Sequence, residues 1–165
     1  YSLLPNKYRR LLDFIKVNIG ADELINLVDS RKVPEFKDNI ILIDGDKYAK
    51  NKNVLILPGK YGPDRLLYDY LSKLDENDEF WEDNVSTGGY SKQFCFSNHT
   101  ISTVAKDRYF YKDWYNSQKP YWKTKSSLVY REWIKKHPEE RKEFLSNFLK
   151  VYNYVAKRNR LKLLD

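Results

Sequence analysis

The stretch that most constrains the fold runs from Asn39 to Asp46 and reads Asn-Ile-Ile-Leu-Ile-Asp-Gly-Asp. Four consecutive aliphatic residues predict a strand that is buried on both faces. The run ends in two carboxylates, Asp44 and Asp46, which flank Gly45. Side chains two residues apart on a strand point the same way, with Cα atoms about 6.6 Å apart, so both carboxylates can converge on one cation. Oxygen ligands of this kind suit Mg²⁺ or Mn²⁺.

The same three residues have a simpler interpretation, which the spacing alone leaves open. Asp-Gly is common turn chemistry, so Asp44 to Asp46 can also be a solvated turn after a core strand. Against this, two neighbouring carboxylates repel and hold a proton between them unless a divalent ion neutralises the pair. In either case Gly45 allows a ligand or a loop to come close.

A second apolar strand, 54–57, runs into a Pro/Gly-rich loop, and a helix is expected to begin at about Pro63. The loop carries Lys60 and can present backbone N–H groups to a phosphate, but it lacks the P-loop pattern. An ordinary helix N-terminus is therefore the favoured interpretation of this loop alone. The connection between the two strands, 44–53, is short for a parallel crossover, so parallel and antiparallel pairing both stay open.

Other segments predict helices alternating with short strands, which is typical of an α/β layer fold. Expected helices are 3–15, 22–30, a segment from Ser126 or Ser127 to about Lys136, and a longer one from Pro138 with a stripe of Phe144, Phe148, Val151 and Val155. Expected strands, besides the two above, are a short one at 17–19 and an edge strand at 90–96. We expect an α/β core at 1–100 and a basic, aromatic-rich helical extension at 101–165 packed on the same domain.

Composition excludes several classes of protein. The sequence has no apolar run long enough to span a membrane and no signal-peptide pattern. The single Cys95 cannot form an internal disulfide, and no Cys/His cluster predicts a zinc site, so a cytoplasmic setting is expected. The chain begins at Tyr1 and contains no methionine, so we expect it to be part of a longer protein.

Positive charge is concentrated in the C-terminal part. Residues 104–165 contain 16 basic and 7 acidic side chains, whereas the rest of the chain is slightly acidic. The segment 97–125 also interleaves aromatic with basic residues, a pattern that suits a phosphate backbone and unstacked bases. The alternative is an aromatic core with lysines that extend to solvent. Residues expected to contact nucleic acid are Lys60, Arg108, Lys119, Lys123 and Lys125.

The order of these motifs resembles a known family. Asp-Gly-Asp after one strand is followed by Leu-Pro-Gly-x2-Gly-Pro-Asp after the next, then by Arg108-x3-Lys112-x-Trp114 and Trp133-x4-Pro138-Glu139. This series is similar to the TOPRIM half of OLD-family proteins, which are ATPase-linked nucleases often encoded in bacterial antiphage systems. Septu- and Gabija-type nucleases are relatives. The resemblance covers about residues 17–155.

The resemblance implies a mostly parallel TOPRIM-like sheet flanked by helices and a two-metal endonuclease site that cuts DNA. Asp44 and Asp46 match the family's Asp-x-Asp metal ligands, and Lys112 matches a lysine thought to stabilise the transition state. Asp64, the third candidate metal ligand, stands where a glutamate after proline is usual, and its side chain is shorter than glutamate by one methylene. The cofactor implied is Mg²⁺ or Mn²⁺, and the partners are DNA, an ATPase domain of the same or another chain, and further copies of the protein.

One departure from the family concerns the first strand and its glutamate. The family places a metal-binding glutamate at the end of a strand ahead of the helix expected at 3–15, and this chain begins after that point. We therefore expect the chain alone to be inactive and one metal to need a ligand from upstream. The competing function is a non-catalytic module that binds nucleic acid or a partner. A haloacid-dehalogenase-type phosphatase is rejected because Lys47 follows Asp46, where that group has Thr or Val.

Overall fold

The computed structural model describes residues 2–81, 90–97, 108–122 and 126–165, without the side chains of residues 108 and 126–128. The chain forms two compact units: Tyr1–Tyr61 with His137–Asp165, and Gly62–Lys136. This division differs from the boundary expected near residue 100, because the last helix belongs with the N-terminal residues. No helix within the described ranges is long and apolar enough to cross a membrane.

The first unit is built on two short strands, β1 (Ile41–Ile43) and β2 (Val54–Ile56). They pair in parallel, with Ile41 opposite Val54 and Ile43 opposite Ile56. The choice left open by the short connection is thus decided in favour of parallel pairing. Buried Asn53 supports the connection, since its side-chain amide donates to the carbonyl oxygens of Phe36 and Asn39 at 2.7 and 3.0 Å. The α/β class is confirmed, in a chain that is mostly helical.

Helices of the first unit pack against this sheet. Helix α2 (Ala21–Ser30) buries Leu24 and Val28 in a cluster with Ile41, Ile43 and Val54. Helix α7 (Pro138–Arg158) contributes Phe144, Phe148 and Val151 to a second cluster that contains Leu55. Both helices are expected from their apolar spacing, and both predictions are confirmed.

The prediction of an N-terminal helix at 3–15 is wrong in length. Helix α1 is only Asn6–Arg9, and the chain from Asp13 to Ile19 is in neither a helix nor a strand. Leu4 and Tyr8 pack on α7, where the Tyr8 ring centroid lies 5.6 Å from that of Phe148. Ile15, the last residue of the predicted helix, is 85% exposed. A helix needs a packed face to persist, and here only its first turn has one.

Two further strand predictions need correction. Leu42 is 41% exposed between the buried residues Ile41 and Ile43, so β1 is buried on one face and not on both. No strand forms at 17–19, although the apolar alternation there predicts one. The helix expected between this segment and β1 does form, and it is preceded by a connection at Gly20.

Helix α7 begins where its sequence predicts. Pro138 occupies the first turn with Glu139 and Glu140, where negative charge complements the helix dipole. The expected stripe of Phe144, Phe148, Val151 and Val155 is buried. At the other end, the guanidinium of Arg158 lies 3.2 Å from the carboxylate of Asp38, in the 3₁₀ helix Pro34–Asp38.

The second unit is helical in its described parts. It contains α3 (Pro63–Lys73), α4 (Lys92–Phe96), α5 (Arg108–Trp122) and α6 (Ser126–Lys136), with α3 packed against the other three. The predictions for α3 and α6 are confirmed. The edge strand expected at 90–96 is wrong: Ser91 caps α4, and its hydroxyl accepts from the N–H of Phe94 at 3.1 Å.

Aromatic side chains form the core of this second unit. The Tyr68 ring on α3 makes edge contacts with Phe96, Tyr111 and Trp114, with centroids 5.0–5.4 Å apart. Trp114 and Trp122 are fully buried, whereas Lys112 and Lys119 on the same helix are exposed. Tyr111, Trp114 and Trp122 of α5 therefore serve packing, as the alternative interpretation of the 97–125 segment predicts, whereas Tyr109 on the same helix is 72% exposed.

Candidate metal centre at the end of β1

The Asp-Gly-Asp motif forms a tight turn directly after β1. The strand ends at Ile43, and the N–H of Lys47 donates to the carbonyl oxygen of Asp44 at 3.2 Å. Asp44 is half-buried and Asp46 is exposed. The expectation that the two carboxylates share one face of a strand therefore does not apply, because Asp46 lies in the turn. Both still follow the carboxyl end of a parallel strand, the edge at which α/β sheets bind ligands.

Gly45 is held against the loop that follows β2. A Cβ atom at this position would lie 2.8 Å from the carbonyl oxygen of Leu57, 2.9 Å from that of Tyr61 and 3.1 Å from that of Pro58. These distances are too short for any side chain. The sequence predicts that a ligand or a loop comes close to this glycine, and in the structure the loop after β2 does so.

A salt bridge that the sequence reasoning missed borders this turn. The ammonium of Lys47 lies 2.8 Å from both carboxylate oxygens of Asp22, in the first turn of α2. The pair ties the start of α2 to the Asp44–Lys47 turn. Its only sequence signal is an acidic residue in the first turn of a predicted helix, which by itself does not identify a partner.

The carboxylates of the turn and the carbonyl groups near Gly45 offer oxygen ligands. Carboxylates of Asp44 and Asp46 flank Gly45, and the carbonyl oxygens of Leu57, Pro58 and Tyr61 surround it. Such donors fit a hard divalent cation better than zinc or copper. Across the described ranges, no three His, Cys, Asp or Glu side chains come together as a metal-binding group. Asp44 and Asp46 are the residues of this turn that would hold such a cation.

Lys60 lies in the loop that packs against Gly45. Its backbone is left-handed at φ 59°, directly after Gly59 at φ 96°, and its side chain is exposed. A left-handed lysine is uncommon and costs conformational energy, which the surrounding loop must offset. Lys60 lies in the same compact unit as Asp44 and Asp46.

Asp64 belongs to the second unit, in the first turn of α3. Its Oδ1 atom accepts from the N–H of Arg65 at 3.0 Å and would lie 2.9 Å from a Cβ at Gly62. A carboxylate in this position complements the positive end of the helix dipole. The Asp64 carboxylate therefore stabilises the first turn of α3.

Among the basic residues expected to act on nucleic acid, Lys112 and Lys119 are exposed on α5. The Lys119 ammonium already donates to the side-chain oxygen of Asn116 at 3.0 Å and lies 5.0 Å from the ring centroid of Tyr115. The side chain of Arg108, and all of Lys123 and Lys125, lie outside the described residues.

The most strongly shifted titratable groups lie in the core of the second unit. Burial raises the pKa of the Cys95 thiol to about 12, against smaller opposing effects of hydrogen bonds with Tyr90 and Trp114. Burial also raises the pKa of the Tyr90 hydroxyl, which donates to Gln118 at 2.6 Å and accepts from the Trp122 indole at 2.9 Å. A thiol that stays protonated is a poor nucleophile. We assign this network to packing.

Comparison with protein-family models, with curated proteins and with solved structures finds no match to this chain.

Proposed function

We propose that this chain is part of a metal-dependent endonuclease that cuts DNA, with a TOPRIM-like domain linked to an ATPase as in the OLD family. Asp44 and Asp46 are the metal ligands in this proposal. The observation that carries it is the oxygen-lined turn at the carboxyl end of β1, where carbonyl oxygens of the loop after β2 surround Gly45. Ligands of α/β sheets bind at this edge.

The proposed chemistry is hydrolysis of a phosphodiester bond. A bound Mg²⁺ or Mn²⁺ supplies charge stabilisation at the phosphate and a more acidic water molecule. Asp44 and Asp46 hold that cation through their carboxylate oxygens, and the resemblance adds a glutamate from outside this chain. The resemblance gives Lys112, which is exposed on α5, the role of offsetting negative charge that develops on the phosphate. Exposed lysines such as Lys60 and Lys119 bind the DNA backbone.

The second candidate is a module that binds nucleic acid or a partner and does not cut. One observation favours it: no third acidic side chain joins Asp44 and Asp46 among the described residues. A two-metal reaction needs both ions, about 3.5–4 Å apart, to stabilise the attacking and leaving oxygens. We keep the nuclease as the proposal because both aspartates lie at the ligand-binding edge of the sheet.

Plasmid nicking by the full-length protein separates the two functions. We expect nicking with Mg²⁺ or Mn²⁺, and its loss in Asp44→Ala and in Lys112→Ala. Asp44→Ala should fail because the cation no longer binds, whereas Lys112→Ala should bind the cation and lose turnover. Glu35→Gln and Lys142→Ala, at exposed positions that belong neither to the turn nor to α5, are the matched controls.

The opposite result would favour the binding module. Full-length protein that binds DNA but never cuts it, with either cation, with relaxed or supercoiled DNA and with or without ATP, would overturn the nuclease proposal. Equal nicking by wild type and Asp44→Ala would place the chemistry elsewhere in the protein.

A further inference from the structure

The loop that connects β1 to β2 is anchored along one side. Residues 47–51 lie in neither a helix nor a strand, yet three side chains at alternate positions hold the loop to the first unit. Ala49 packs against the cluster that α2 forms with β1. The side-chain amide of Asn51 donates to the carboxylate of Asp29 on α2, and buried Asn53 makes the two hydrogen bonds described above.

The positions between these anchors form an exposed row. Tyr48, Lys50 and Lys52, which we call the tyrosine–lysine row, are exposed, and each is followed by one of the anchoring residues. Alternation with a period of two is typical of an extended chain with one face on the protein and the other in solvent. Tyr48 is 74% exposed. A single exposed aromatic residue is ordinary on a protein surface, but this ring stands at the head of a row with two ammonium groups.

The row begins beside the candidate metal turn. Tyr48 follows Asp46 by two residues, so their Cα atoms are at most about 7 Å apart. Lys47, between them, is tied to Asp22 by the salt bridge at 2.8 Å, and Ala49 on the other side is packed. Contacts on both sides therefore hold the Tyr48 backbone close to the turn.

An aromatic ring with two cations on the same side of a loop suits a nucleic-acid strand whose bases are unpaired. A base stacks on an aromatic side chain only where its face is uncovered, and in a duplex neighbouring base pairs cover both faces. Such stacking accepts any base, and lysines bind the phosphates of the same strand. The row offers both kinds of contact from an anchored loop.

We propose that the tyrosine–lysine row binds a single strand of DNA, with a base stacked on Tyr48 and with phosphates against Lys50 and Lys52. This inference deepens the proposed function, and its substrate assignment rests on that function, because the strand held by the row is the one that reaches Asp44 and Asp46. The substrate class is DNA with unpaired bases at the cut, such as a single-stranded end, a gap or a bubble.

Fluorescence anisotropy of the full-length protein, without a divalent cation, measures binding separately from cutting. The probes are a labelled single-stranded oligothymidylate and a labelled duplex of the same length. Tyr48→Ala should weaken binding of the single strand about tenfold, because one stacked base is lost, and should leave binding of the duplex unchanged. Tyr48→Phe keeps the ring and should retain the affinity for the single strand. Tyr48→Leu keeps only apolar bulk and should bind as weakly as Tyr48→Ala.

Salt dependence tests the two lysines of the row. Lys50→Ala with Lys52→Ala should make the slope of log affinity for the single strand against log salt shallower by about 0.7 for each lysine. Lys142→Ala, at an exposed position on α7, is the matched control and should leave the slope unchanged. An equal slope in wild type and in the double variant would overturn the phosphate contacts.

The outcomes separate this inference from the nuclease proposal. Plasmid nicking by wild type, with equal affinity for the single strand in wild type and Tyr48→Ala, would overturn the row and support the nuclease. Loss of single-strand binding in Tyr48→Ala, in a protein that never cuts, would support the row as the surface of a binding module and overturn the nuclease. An equal loss of affinity for single strand and duplex would overturn the assignment to unpaired DNA.

Discussion

Lys47 and Asp22 join two elements that the sequence separates: the ammonium of Lys47 lies 2.8 Å from both carboxylate oxygens of Asp22. The Lys47 side chain is 19% exposed, whereas that of Asp22 is 72% exposed. Solvent therefore screens the pair strongly from one side. Its geometry orients the turn that carries the two candidate metal ligands, even though its contribution to stability is small.

A double-mutant cycle measures this contribution. Lys47→Ala, Asp22→Ala and the double variant should give a coupling energy of about 0.5 kcal/mol in urea unfolding, since exposed pairs contribute about 0.2–1 kcal/mol. The coupling should shrink as salt is added. A coupling well above 1 kcal/mol, or one that salt does not affect, would mean that the pair is more shielded from water than its exposure indicates.

Gly45→Ala should destabilise the protein. The new methyl group would lie 2.8–3.1 Å from three carbonyl oxygens, so the loop after β2 has to move. Overpacking of this kind costs roughly 1–3 kcal/mol. Gly20→Ala is the matched control, because nothing lies within 4 Å of its new Cβ and the backbone φ of −65° suits alanine. Equal unfolding midpoints for the two variants would contradict the packing described for Gly45.

Stability should fall at alkaline pH because of buried Cys95 and half-buried Tyr70 in the second unit. Burial raises the pKa of Cys95 from 9.0 to about 12. Burial, with the negative charges of Glu132 and Asp78, raises the pKa of Tyr70 from 10.0 to about 12. The unfolded chain loses these protons first, so the stabilisation is complete below pH 9 and is lost as the pH rises towards 12.

Urea unfolding across pH 8–11 checks this dependence. Cys95→Ala should flatten the part of the slope that begins near pH 9, and Tyr70→Phe the part that begins near pH 10. Unchanged slopes in both variants would show that these two groups are not the source of the alkaline loss.

DNA binding by the basic region should depend steeply on salt. A variant that makes one phosphate contact fewer should show a slope of log affinity against log salt that is shallower by about one. Lys112→Ala, on the exposed face of α5, should reduce the slope, whereas Lys142→Ala on α7 should not. A flat salt dependence in wild type, or no DNA binding at low salt, would favour a packing role for the lysines of α5 and for Lys123 and Lys125.

The sequence predicts those elements whose packing face is complete in a short window. α2, α3, α6 and α7 each carry an apolar stripe or a terminal signal of their own, such as Pro63 and Pro138 at the first turn. The two strands are predicted in the same way from runs of aliphatic residues. Their parallel pairing is accompanied by hydrogen bonds from buried Asn53 to Phe36 and Asn39, partners that a local pattern does not identify.

The errors arise where partners are distant in sequence or where two local signals compete. Leu4 and Tyr8 pack in one cluster with Phe148 on α7, whereas Ile15 is exposed. The helical spacing at 3–15 therefore predicts a longer helix than the one that forms. At 90–96, the capping serine at position 91 outweighs a loose alternation.

At the candidate site, the sequence identifies the two aspartates but not their geometry. A hydrogen bond from Lys47 to Asp44 turns the chain one residue after β1, so strand spacing does not orient Asp46. The carbonyl oxygens around Gly45 carry no sequence signal, because every residue has one.

Calorimetric titration of the chain with Mn²⁺ tests the central claim most directly, because a shared cation at Asp44 and Asp46 underlies every later step. We predict one Mn²⁺ bound per chain, with affinity reduced at least tenfold (about 1.4 kcal/mol) in Asp46→Asn and in Asp44→Asn. Glu35→Gln, an exposed acidic residue outside the turn, should bind as wild type does. Equal Mn²⁺ affinity in wild type, Asp44→Asn and Asp46→Asn would contradict the account.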